Sequence, residues 1–90
     1  MTARAIRLEG DLAAPGLAAW VAHRARLLDL RGWFEQADAG RADIFVVGPE
    51  PMIEAMEISC SLGPADILVQ RLTARDATLS EEPPTEFLIR

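Results

Sequence analysis

Apolar and polar residues alternate over residues 3–9, Ala-Arg-Ala-Ile-Arg-Leu-Glu, which predicts a first strand with Ile6 and Leu8 on one face and Arg7 and Glu9 on the other. A turn-rich loop bracketed by glycines, Gly10-Asp-Leu-Ala-Ala-Pro-Gly16, follows, with Pro15 where a helix can begin. The period then changes. Apolar residues recur at Leu17, Trp20, Val21, Ala25 and Leu28, the spacing of an amphipathic helix over 17–28 that directs His23, Arg24 and Arg26 away from the core. Residues 31–37 read as a second strand, Asp38-Ala-Gly40 as a hairpin turn, and 41–48 as a third strand ending in the run Ile44–Val47. Gly48-Pro-Glu-Pro51 opens a second helix. Proline is tolerated in a first turn, and Glu50 and Glu54 lie near the positive end. Met52, Ile53, Met56 and Cys60 form its expected buried stripe, and Gly63-Pro64 ends it. Residues 65–74, with Ile67, Val69 and Leu72, give a fourth strand. An acidic segment from Asp76 to Glu86, containing Glu81-Glu-Pro-Pro84, reads as a surface loop, and Phe87–Arg90 as a short closing strand.

This order, strand–helix–strand–strand–helix–strand plus a terminal strand, predicts an α+β class: a ferredoxin-like split βαβ sandwich, an antiparallel sheet with two helices on one face. Each crossover is expected to be right-handed. Val21, Leu28, Ile53 and Met56 are expected to point inward. At 90 residues the chain is read as one domain spanning 1–90. Many functions share that fold, so the chemistry must be sought in particular residues.

Composition narrows the choices. A net charge of −5, from nine basic and fourteen acidic residues, is the wrong sign for a nucleic-acid or anionic-membrane binder, and neither partner is expected. No apolar run approaches the roughly 18 residues of a membrane span. The first ten residues lack the pattern of a signal peptide, and a single cysteine, Cys60, cannot form an internal disulfide, so the cytoplasm is the expected compartment. With one histidine and one cysteine no metal site is expected, and no cofactor is implied. The chain has no lysine, no tyrosine and no asparagine. Without lysine there is no Schiff base or P-loop cation. Trp20, Trp33, Met52 and Met56 sit on the apolar periodicity and read as core. His23 reads as solvated, and Cys60 as a small buried hydrophobe.

The stretch Leu28-Asp-Leu30-Arg-Gly32-Trp33-Phe34-Glu-Gln36-Ala-Asp-Ala-Gly40 resembles the second signature of the acylphosphatase family, Leu-Gly-Leu-x-Gly-Trp-Val-x-Asn-x-x-Asp-Gly. Counting back without a gap, Val21 and Ala25 meet the family's helix positions, and Gly16 and Gly10 meet two glycines of its first signature, Gly-x-Val-Gln-Gly-Val-Gly-Phe-Arg. Gly63-Pro64 and the ending Phe87-x-Ile89-Arg90 also fall where the family has them. The resemblance implies hydrolysis of a carboxylic-phosphoric mixed anhydride. In the family, amides of the glycine-rich loop cradle the phosphate, one arginine grips it, and an asparagine on the second strand holds the attacking water.

The departures fall on that chemistry. Ala18 stands at the arginine position and Gln36 at the asparagine position. In the phosphate loop Asp11 adds a carboxylate, Ala13 and Ala14 replace the family's Gln and Gly, and Pro15 lacks an amide hydrogen, before Gly16 and Leu17 enter the helix. Losing the arginine is expected to cost several kcal/mol of transition-state stabilisation, roughly three orders of magnitude in rate. A glutamine stem one methylene longer, displacing water by about 1 Å, costs on the order of a hundredfold. Arg24 is off the face of Ala18, which leaves Arg4 and Arg7 as neighbours that could supply a replacement. The leading expectation is an acylphosphatase-like domain without efficient catalysis, acting as an interaction or regulatory module for a protein partner. The alternative is a weak acylphosphatase, binding acyl phosphate or another small anion weakly.

Overall fold

The structure, a computed structural model, describes residues 1–78 and 82–90. Its elements are β1 (Thr2–Asp11), α1 (Leu17–Leu27), β2 (Arg31–Asp38), β3 (Arg41–Gly48), α2 (Glu50–Leu62), β4 (Leu68–Asp76) and β5 (Phe87–Ile89). The strands form one sheet in the order β4-β1-β3-β2-β5. β1 pairs antiparallel with both β3 and β4, and β2 antiparallel with β3. Each helix therefore connects two parallel strands with a third lying between them, which is the split βαβ arrangement.

The four expected antiparallel strands are present, and the short terminal strand makes the sheet mixed. β5 joins the edge of β2 in parallel, Gly32 opposite Phe87 and Phe34 opposite Ile89. β4 and β5 lie at opposite edges of the sheet, and three residues carry no directional pattern. Arg26 of α1 secures the closing strand by donating from its guanidinium to the Phe87 carbonyl at 2.9 Å. Of the expected acidic loop, Asp76 ends β4, and Glu81 lies outside the described residues.

Both helices cover the same face. Ile6, Leu8, Phe34, Ile44 and Val46 of the sheet meet Val21 and Ala25 of α1 and Ile53, Met56 and Cys60 of α2 in one buried cluster. Burying each large side chain there contributes about 1.5–3 kcal/mol. Burial pushes the Cys60 thiol up to about 12, so it stays protonated at neutral pH.

Several expectations need correction. Met52 is on the exposed side of α2, because the stripe at 53, 56 and 60 is rotated away from it. Leu28 is only partly buried, since α1 ends at Leu27. Arg24 is not directed to solvent: its guanidinium lies 5.3 Å from the centre of the half-buried Trp20 ring. Trp33 is outside the core. Successive strand residues face opposite ways, and here Phe34 points in, leaving Trp33 on the open face of the sheet, stacked on Phe45 at 4.5 Å. Gly32 between Arg31 and Trp33 has φ 136°, and a Cβ there would run into the Phe45 carbonyl. Close approach of β2 to β3 thus requires glycine.

Candidate functional site: the loop between β1 and α1

The loop leaves the sheet beyond a register shift at Glu9/Gly10 and is held on one side by the β2–β3 hairpin. Gly10 donates its amide hydrogen to the Gly40 carbonyl at 3.0 Å, and Leu12 donates to Ala39 at 2.8 Å. Leu12, within the stretch read as a polar turn, is fully buried and anchors the loop in the core. Ala13, Pro15 and Gly16 remain exposed, and Gly16 turns the chain into α1 with φ 99° as its N-cap. No side chain caps this helix end, and its first turn has no acidic residue. Among the described residues no acceptor takes the amide hydrogens of Ala13, Ala14, Gly16, Leu17 or Ala18. Such a set of unpaired donors at a positive helix end is suited to an anion. Pro15 interrupts it, as the sequence implied, and exposed Asp11 stands at the end of β1 where the loop begins.

The two side chains singled out for catalysis are both placed away from such work. Ala18 lies in the first turn of α1 with its methyl packed against the edge of the core, where Ala14 of the loop also packs. The Gln36 carboxamide is turned onto the chain itself: Nε2 donates to the Leu12 carbonyl at 2.9 Å and to the Asp38 carbonyl at 3.1 Å. Both its donor hydrogens are thereby engaged in bracing the loop against the hairpin. That partner was not legible in the sequence, since Leu12 is 24 residues away.

Neither arginine considered as a replacement reaches the loop. Arg4 sits about 25 Å back along β1, at the strand rise of roughly 3.3 Å per residue. Its guanidinium binds Asp76 and Glu50 at 2.9 Å and Glu57 at 3.2 Å, tying β4 and α2 to β1. The hydrogen bonds it donates to Asp76 and Glu50 raise its pKa further above the usual arginine value. Arg7 points to the open face and binds Asp43 at 2.9 Å. Arg41, nearest the hairpin, is directed to the other Asp43 oxygen at 3.6 Å.

Curated acylphosphatases match most of the chain. The chain is 32% identical over 79 residues to acylphosphatase 2 of Ralstonia nicotianae, covering 88% of this chain and 83% of that one. It is 30% identical over 74 residues to an acylphosphatase of Rhodopseudomonas palustris, covering 82% and 75%. The chain belongs to the acylphosphatase family. The fold also matches the crystal structure of acylphosphatase from Bacillus subtilis, with a TM-score of 0.91 at 23% identity over 100% of this chain and 99% of that one. No family model matches the sequence. In this fold Ala18 contributes a methyl group at the core edge, and the Gln36 amide is already engaged by the Leu12 and Asp38 carbonyls. Among the described residues no helix is long and apolar enough to cross a membrane.

Proposed function

We propose that this acylphosphatase-family domain has lost efficient hydrolysis and serves as an interaction or regulatory module. The observation that carries the reading is Ala18. Acyl-phosphate hydrolysis places growing negative charge on the phosphoryl oxygens, and a guanidinium in the first turn of α1 is the group that would neutralise it. A methyl group packed on the core edge supplies no charge, and Arg4 and Arg7 are held by carboxylates elsewhere. The Gln36 amide adds to the loss: to orient water it must first leave the Leu12 and Asp38 carbonyls.

One observation favours the second reading, a weak acylphosphatase. The amides of Ala13, Ala14, Gly16, Leu17 and Ala18 remain unpaired and could hold the three phosphoryl oxygens while water attacks phosphorus and the carboxylate leaves. Against it, an unassisted helix end is worth about 0.3–1 kcal/mol to an exposed anion, and a nearby carboxylate offsets that. Titration with phosphate, followed by NMR at Gly16, Leu17 and Ala18, is expected to give millimolar binding at best. Asp11→Asn is expected to tighten it. Saturation at low micromolar phosphate would favour the enzyme. Hydrolysis of benzoyl phosphate by the purified protein separates the two readings, and turnover near zero is expected.

A further inference from the structure

The face of the sheet opposite the helices carries a built slot that the family's chemistry does not use. Its centre is a row set by strand register: Arg75 of β4, Ala5 of β1, Phe45 of β3 and Trp33 of β2 lie side by side. Ala5 is the small member, so the row has a gap in its middle. On one side Phe45 is stacked on Trp33 at 4.5 Å, and Arg90 lies 4.0 Å from the centre of the Trp33 ring. The aromatic wall is therefore assembled in advance, and the remaining face of Phe45 looks across Ala5 towards Arg75. A depression of about 440 Å³ opens there, with Arg7, Thr73 and Glu9 around it. That volume lies within the roughly 300–1,000 Å³ of small-molecule sites.

Geometry and charge define what fits. β3 and β4 flank β1 at about 4.8 Å each, so Phe45 and Arg75 stand about 10 Å apart at the backbone. A flat ring between a phenyl face and a guanidinium plane needs about 7 Å, two contacts of roughly 3.5 Å. Among the described residues Arg75 and Arg71 make no ion pair, unlike Arg7 and Arg41, which share Asp43. The lining balances Arg7 and Arg75 against Glu9 and Asp43, and with Arg7 held by Asp43 the charges without an ion pair among the described residues are Arg75 and Glu9. The ligand thus needs an aromatic ring and an anionic group. Glu9 can only accept hydrogen bonds when ionised, so the ring should also carry N–H donors.

We infer that this slot binds a mononucleotide with an amino-bearing base, the base between Phe45 and Arg75 over Ala5 and the phosphate at the edge of the Arg75 guanidinium. Bases stack on aromatic rings and on guanidinium planes alike. A strand of nucleic acid is disfavoured because the depression holds one base and the chain as a whole repels a polyanion. The slot is about 20 Å along β1 from the β1–α1 loop, so it stands whether or not the loop hydrolyses anything.

The test is an NMR titration of the intact protein with AMP, with adenosine, ribose 5-phosphate and a single-stranded hexanucleotide as comparison probes. Saturable shifts are expected at the amides of Ala5, Phe45, Thr73 and Arg75. Adenosine and ribose 5-phosphate should each bind at least tenfold more weakly than AMP. Phe45→Ala and Arg75→Ala should each weaken AMP at least tenfold, and Ala5→Leu should abolish binding by filling the floor. Arg75 is exposed on an edge strand, so its variant reports on binding even if Phe45→Ala fails to fold. Three results would overturn the proposal: no saturation at these amides by 10 mM AMP, ribose 5-phosphate binding as well as AMP, or shifts confined to residues 13–18. A hexanucleotide binding more than tenfold tighter than AMP would overturn it too, in favour of a strand-binding face.

Discussion

Gly32 and Gly16 lie in the two stretches that resemble the family's two signatures, and their surroundings differ. At Gly32 a Cβ would run into the Phe45 carbonyl and crowd the Val46 backbone, so β2 and β3 could not pair as they do. At Gly16 nothing lies within 4 Å of an added Cβ, and only φ 99° favours glycine there. The same contrast runs through both regions. In β2, Phe34 fills the core while Trp33 braces Phe45 on the other face, so folding itself demands these residues. In the loop only Leu12 and Leu17 are buried, whereas Asp11, Ala13 and Pro15 are exposed, so packing constrains them little. The exposed residues of such a loop can be substituted without changing the shape of the fold.

The contrast can be broken by substitution. Gly32→Ala is expected to destabilise by about 3 kcal/mol or more, because backbone must move in both strands. Gly16→Ala is expected to cost about 1–2 kcal/mol, the conformational term alone. Urea denaturation of the two variants checks the pair, and equal losses would contradict the account of β2 as the rigid region.

Gln36 sharpens the same comparison, since it joins the two regions. Gln36→Ala removes hydrogen bonds to the Leu12 and Asp38 carbonyls and is expected to cost about 1 kcal/mol. Hydrogen exchange at Gly10 and Leu12, whose amides bond the hairpin, should speed up in that variant. Unchanged exchange would mean that Gln36 does not brace the loop.

The element order was legible because β1 and the two helices carry clear periods with turn residues between them, and the positions of Val21, Ile53, Met56 and Cys60 followed from it. What was not legible depends on partners distant in sequence. In Gly32-Trp33-Phe34 two adjacent aromatics alternate, and only the pairing with β3 decides which one enters the core. Arg4 shares the helix-side parity of Ile6 and Leu8, and its role as a link between β4 and α2 appears only once Glu50, Glu57 and Asp76 converge on it. Positions 18 and 36 were singled out by counting from the Gly-Trp block. The engagement of Gln36 with the Leu12 carbonyl could not, because hydrogen bonding between a strand and a loop leaves no periodic trace.

The smallest effect concerns the buried thiol. Its folded pKa is pushed up to about 12 from 9.0, so above pH 9 the unfolded chain loses a proton that the folded chain retains. Stability should therefore be unaffected by this group below about pH 9 and fall by about 1 kcal/mol between pH 9 and 10. A Cys60→Ala variant should lack that decline, and a persisting decline would assign it to other groups.

The central claim is that the catalytic places survive and the catalytic groups do not. Its most direct test is benzoyl phosphate hydrolysis by the wild-type protein beside Ala18→Arg and the double variant Ala18→Arg/Gln36→Asn, at equal folded concentration. The wild type is expected to show little or no turnover. Restoring the arginine should raise the rate by at least an order of magnitude, and adding asparagine should raise it further, with Pro15 and Asp11 still limiting it. A wild-type rate that neither substitution improves, at the speed of a competent acylphosphatase, would contradict the account.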